Sequence, residues 1–218
     1  LKRYFSNKGA GLEREAIASP SPASGDNLSQ AIEDKIRLDL RDLRRAITAC
    51  RRCSRGGNGI PGCGEPGADL FLLAGRPGPG AAPDNPWGEW RDDFHRKVIE
   101  EWGWSFGGVY FSTALRCPLE DVTPAALRRC AGYLAEELFA IGPRLVVVSG
   151  KLAAVTLRVA LGDEVPGKPR SGDICGLFST RFLFELDVAR IKREKEAAEI
   201  FWNVLRKAEE LVPLTKRN

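Results

Sequence analysis

Among 218 residues there is no methionine and one histidine, His95. With leucine at position 1, the missing methionine fits either a piece of a longer chain or an excised initiator, so an upstream domain stays open. A single imidazole leaves no histidine pair at metal-ligand spacing, and His95, beside Asp92, Asp93 and Arg96, reads as a partly exposed helical residue. No apolar run approaches the ~20 residues that cross a bilayer, which argues against a membrane-spanning helix. Residues 1–30 hold no apolar segment of the kind that drives secretion. A reducing compartment is therefore expected: the cytoplasm, with nucleoid association if the source is bacterial. The net charge of +4 permits nucleic acid without demanding it, because no concentrated basic patch accompanies it. Cations near the ends (Lys2, Arg3, Lys8, Lys207, Lys216, Arg217) read as solvated. A G-x-G-x-x-G loop is also missing. The run from Gly75 to Gly80 follows an apolar strand, but its spacing differs and its prolines remove N–H donors.

Against these absences stand six cysteines. Cys50 and Cys53 form a C-x2-C pair at a helix end, and Cys117 and Cys130 lie far downstream. Two thiolates on one turn, joined by a second pair through folding, make a four-thiolate site for an iron–sulfur cluster or for zinc. A disulfide framework is the weaker alternative in a reducing compartment. Cys63 and Cys175 are left over, Cys63 as a spare ligand or a free thiol.

Residues 1–27, rich in Ser, Pro, Gly and Ala, read as a flexible tail or linker through which a further domain or protein partner would attach. From an N-cap at Asp26 or Asn27, apolar residues Ile32, Ile36, Leu40, Leu43 and Ile47 recur every three or four positions and predict a helix ending near Cys50. Residues 54–67 form a glycine- and proline-rich loop. Strands are predicted at 69–74, 109–115, 145–148 and 182–186. Helices are predicted around 94–102, from Thr123-Pro124 through 138, at 152–161 and at 190–211. This alternation predicts an α/β fold, a three-layer α/β/α sandwich around a mainly parallel four-stranded sheet, over residues 28–213 with a basic tail at 214–218. In such sheets the reactive crevice lies at the carboxyl ends of the strands. That selects loops 75–87, 112–117, 149–151 and the stretch after Phe184.

Over residues 38–211, these loops and cysteines resemble the uracil-DNA glycosylase superfamily, specifically its iron–sulfur branch, family 4. The motifs are the Cys50–Cys53 pair, Gly75-Arg76-Pro77-Gly78, Pro86-Trp87, the strand from Val109 into Cys117, then Cys130, and Ser149-Gly150-Lys151-Leu152-Ala153-Ala154. Residues 109–130 are the most specific part, combining strand, cysteine and Thr-Pro helix start in the family's order. The resemblance implies the uracil-DNA glycosylase type of sandwich, a structural 4Fe–4S cluster on Cys50, Cys53, Cys117 and Cys130 with zinc as the competitor, and DNA, single strands included, as partner.

Family members use an acidic or amide residue of the first motif to position water, an aromatic to stack on the flipped uracil, an asparagine to read its edge and a late histidine to stabilise the departing anion. Here Arg76 stands at the acidic position, Thr113 at the asparagine position, and Phe184-Glu185-Leu186-Asp187-Val188 replaces the histidine loop. Thr113 lacks the amide's paired donor and acceptor. Losing one such stabilising donor costs about 10²- to 10³-fold in rate, so excision of uracil by the usual residues is expected to be severely weakened. Arg76, Trp87, Thr113 and Lys151 remain as base- or DNA-contacting candidates, with Trp90 beside Trp87 as a further stacking ring. Asp84, Glu185 and Asp187 are the substitute carboxylates. The expectation is a divergent DNA-binding member of this superfamily in DNA repair. A non-catalytic DNA-binding or scaffold module, and a glycosylase for a different modified base, stay open beside it.

Overall fold

The computed structural model describes residues 23–53, 58–103, 108–118 and 122–211. The tail assigned to residues 1–27 lies mostly outside them, as do the basic tail at 214–218 and Trp104. Helix α1 (Ala23–Thr48) begins inside the segment assigned to the tail. It is followed by β1 (Leu70–Ala74), α2 (Glu89–Phe94) continuing into a π-helical segment His95–Glu101, β2 (Val109–Thr113) and α3 (Pro124–Ile141). Then come β3 (Leu145–Ser149), α4 (Gly150–Leu161), β4 (Ile174–Leu177), β5 (Thr180–Glu185), α5 (Val188–Ile191) and α6 (Lys195–Leu211).

The sheet has five strands in the order β2-β1-β3-β5-β4. The first four are parallel, and β4 folds back antiparallel on β5. This adds one strand to the four expected. β4 escapes a sequence pattern because it is a half-exposed edge element containing Gly176, with no apolar run to announce it. The expected last helix is also divided, with a break between Ile191 and Lys195.

The central strands are apolar on both sides because both sides are covered. Leu70, Leu72 and Ala74 of β1 and Leu145 and Val147 of β3 pack with Phe94, Val98, Phe201 and Leu205 on one face. Phe71, Leu73, Val146 and Val148 pack against Leu40, Leu134, Leu138, Ala153 and Leu157 on the other. These are the three layers, and each fully buried large side chain contributes about 1.5–3 kcal/mol relative to exposure. Helix α3 starts where the sequence says it should. The Thr123 hydroxyl accepts from the Ala126 amide at 3.1 Å, and Pro124 occupies the first turn.

Candidate functional site

Parallel register assembles the site. Thr113 pairs with Ala74, Ala74 with Ser149 and Ser149 with Glu185, so the final residues of β2, β1, β3 and β5 form one row across the carboxyl edge. The Ser149 hydroxyl accepts from the Val188 amide at 2.7 Å and donates to the Leu186 carbonyl at 2.9 Å, stitching the β5–α5 turn to β3. Gly150, at φ +87°, starts α4 beneath that turn, and a Cβ there would sit 2.9 Å from the Asp187 Cβ. Only glycine combines that backbone with that clearance.

A cavity of about 420 Å³ opens beside this row, between α4, the segment around 167–171 and the β5–α5 turn. Glu185 lines it while only 6 % exposed. Its Oε1 accepts from the Ser171 hydroxyl at 2.6 Å and the Leu186 amide at 2.7 Å. Its Oε2 is buried without a hydrogen-bond partner. Burial pushes the carboxyl up to about 7, against the opposing pull of the Ser171 and Leu186 hydrogen bonds. Lys151, Lys168, Arg170 and Arg190 give the same cavity a cationic lining, and Arg190 also pairs with Glu194. The amino end of α4 opens here with no side-chain cap on its first amides.

Of the residues singled out in the sequence, Lys151, Glu185 and Asp187 therefore meet at one cavity. Asp187 is employed as the N-cap of α5, accepting from the Ala189 amide at 2.9 Å. Asp84 lines a separate cavity with Arg44, Cys63 and Arg91. Arg76 is exposed at the start of its loop, and Thr113 is fully buried with its hydroxyl unpaired. Trp87 is 1 % exposed; its indole N–H donates to the Ser112 carbonyl at 2.9 Å and its ring packs edge-on with Phe94 and Phe111. Trp90 is likewise buried in that core. The reason is the loop between β1 and α2, which closes on itself. The Gly78 amide donates to the Pro86 carbonyl at 3.1 Å and the Glu89 amide to the Pro79 carbonyl at 3.0 Å. Trp87 thus pins the loop to β2 instead of offering a face at its mouth.

Around the cysteines, Cys117 and Cys130 are 7 % and 8 % exposed, packed with Leu115, Ala126 and Cys53. Cys50 packs against Ile47 and Tyr133. Burial pushes the Cys117 thiol up to about 11, and Cys130, Cys50 and Cys53 add to the rise in that order, so the four sulfurs share one local field. Among the described residues no three Cys, His, Asp or Glu side chains close around one point as they would about a single ion. The donor set is nonetheless all sulfur in apolar surroundings, chemistry that suits a soft thiolate centre and not a hard cation. Cys63 sits elsewhere. Its backbone exchanges hydrogen bonds with Phe111 at 2.9 and 2.8 Å, covering the outer edge of β2, and burial raises its thiol. Cys175 lies in β4, its thiol also raised by burial.

Between the cysteine region and the edge row lies a network that the sequence reading missed. Arg116, 1 % exposed, donates to Glu137 at 2.8 and 3.2 Å and to the Ser112 hydroxyl at 2.8 Å. Glu137 also receives the Ser112 hydroxyl at 2.5 Å and the Gly62 amide at 3.0 Å. The available signal was a glutamate interrupting the apolar stripe of Leu134, Leu138 and Ile141. A larger cavity, about 640 Å³, lies at the opposite end of β5 under the exposed rings of Phe139 and Phe178, lined chiefly by apolar side chains and away from the edge row.

The family model of the Uracil DNA glycosylase superfamily matches residues 62–206. A curated relative, the Type-4 uracil-DNA glycosylase of Archaeoglobus fulgidus, is 30 % identical over 125 residues, which cover 53 % of this chain. The match spans 61 % of that relative's length. No helix among the described residues is long and apolar enough to cross a membrane.

Proposed function

The chain belongs to the uracil DNA glycosylase superfamily, and from that premise we propose that it is a divergent DNA-binding member acting in DNA repair. An extruded nucleotide would enter the cavity beside Ser149 and Glu185. The observation that carries this reading is the company Glu185 keeps: a buried carboxyl at the end of the row, within a cavity lined by Lys151, Lys168, Arg170 and Arg190. Cations and the open amino end of a helix suit phosphate, and a cavity of about 420 Å³ accepts a group the size of a base. Excision of uracil by the family's usual residues is not expected, because Arg76 and Thr113 stand where an acid and an amide belong, and the stretch Phe184-Glu185-Leu186-Asp187-Val188 replaces the histidine loop. A recognition module without base release is the second reading, favoured by those replacements and by the burial of Trp87.

Cys50, Cys53, Cys117 and Cys130 are proposed to hold a 4Fe–4S cluster, with zinc as the competing metal. The all-thiol set and its shared burial support this. Such a group would supply a clamp tying the end of α1 to β2 and α3. Iron with acid-labile sulfide in anaerobically purified protein is the expected result; stoichiometric zinc without sulfide would refute the cluster.

Binding and base release on uracil-containing single- and double-stranded oligonucleotides test the main reading. Salt-dependent binding is expected, with Lys151→Glu and Arg170→Glu each lowering the slope of log affinity against log salt by about one. Binding that ignores both substitutions would defeat the cavity assignment. Release abolished by Glu185→Ala would favour catalysis over recognition alone.

A further inference from the structure

We infer that Glu185 serves the cavity as a neutral carboxylic acid, presenting an Oε2–H to a keto oxygen or ring nitrogen of an extruded base. This rests on the DNA-binding reading above and adds to it a chemical class of base. The two oxygens of the Glu185 side chain differ in what they hold. Oε1 accepts from the Leu186 amide, which can only donate, and from the Ser171 hydroxyl. A proton on the carboxyl therefore belongs on Oε2, and Oε2 is buried with no hydrogen-bond partner of its own. In its neutral form the side chain has an Oε2–H donor to give, and its stronger, carbonyl-type acceptor Oε1 is already taken twice. An ionised Oε2 at the same place would be a buried charge lacking the hydrogen bonds that normally sustain one.

The charged groups around it come from every side of the cavity. Lys151 comes from α4, Lys168 and Arg170 from the segment that also carries Ser171, Arg190 from α5 and Asp187 from the β5–α5 turn. Burial prevails over the hydrogen bonds from Ser171 and Leu186 and pushes the carboxyl up to about 7. A phosphate in the cavity would offset the cations and shift the balance further toward the acid. Because Oε1 is already occupied, a keto edge is matched, whereas an exocyclic amino group would meet another donor.

The test is a pH series of binding, from pH 6 to 8.5, with two oligonucleotide probes: one bearing an unpaired uracil whose sugar is 2′-fluorinated to block release, the other an abasic analogue at the same position. Wild-type affinity for the base-bearing probe, measured relative to the abasic one, is expected to fall roughly 3- to 10-fold across the series, the loss of one hydrogen bond. Glu185→Gln retains a donor at the Oε2 position and should hold the low-pH advantage throughout. Glu185→Ala should lack the base-dependent advantage at every pH, with its fold checked separately by circular dichroism and its urea midpoint. The same pH dependence on both probes, or a dependence kept by Glu185→Gln, would overturn the inference while leaving DNA binding intact. Absence of salt-dependent binding to either probe would instead overturn the DNA-binding reading, and this inference with it.

Discussion

Glu137 and Glu185 are the same side chain, 0 % and 6 % exposed, on opposite flanks of one sheet, and their surroundings differ in completeness. Glu137 receives the Gly62 amide, the Ser112 hydroxyl and two nitrogens of Arg116, a counter-charge as buried as itself. Glu185 receives two donors on one oxygen and none on the other. Both oxygens of Glu137 are occupied inside the protein. Glu185 keeps one position unspent at a cavity, and that is where chemistry with an outside molecule is possible.

The comparison breaks most visibly at Glu137. Glu137→Ala strands the Arg116 guanidinium without its partner and should cost about 3–5 kcal/mol, read as a lower urea midpoint. Replacing the pair together, Arg116→Met with Glu137→Leu, should recover most of that loss. Equal destabilisation by single and double replacements would show that the network's value is not electrostatic.

At Glu185 the sign reverses. Its folded-state carboxyl, at about 7, lies above the reference value of 4.5, so between these values the folded chain keeps a proton that the unfolded chain has released. Stability therefore declines as pH rises through that window and stays reduced above about 7, by about 3 kcal/mol from this group. Glu185→Gln should accordingly be more stable than the wild type at pH 8 and no different below pH 4.5. Identical stability of the two proteins at pH 8 would contradict the burial argument.

Ser171→Ala sharpens the contrast with the smallest effect, about 1 kcal/mol. It removes a hydrogen bond that holds the Glu185 carboxyl down, so the pH-dependent loss of stability should end at a higher pH than in the wild type. An unchanged titration would mean that the Leu186 amide alone opposes the effect of burial.

What the sequence disclosed follows from how local each signal is. The four parallel strands are legible because each is a short apolar run that the core requires on both faces. The start of α3 is legible because Thr123 and Pro124 carry their own geometry. Cys53, Cys117 and Cys130 share one small cluster and Cys50 packs beside Tyr133, but among the described residues no three ligating side chains close around a point, so their spacing in the sequence stays the ground of the metal proposal. Trp87 misleads because its burial depends on a loop folding back through hydrogen bonds between residues far from any periodic pattern. Glu137 hides for the same reason: its partners Gly62 and Arg116 are 75 and 21 positions away. The surroundings of Glu185 hide as well, because its partner Ser171 sits on a segment no motif marks.

The in-register row has a consequence for how such a protein changes over generations. Thr113 and Glu185 are its outermost members, each the last residue of its strand. A replacement at Glu185 alters what the cavity offers to a ligand without shifting the alignment of neighbouring strands. Reactivity and architecture are thus heritable almost separately here. A lineage can exchange the chemistry at such a strand end while the frame that presents it persists.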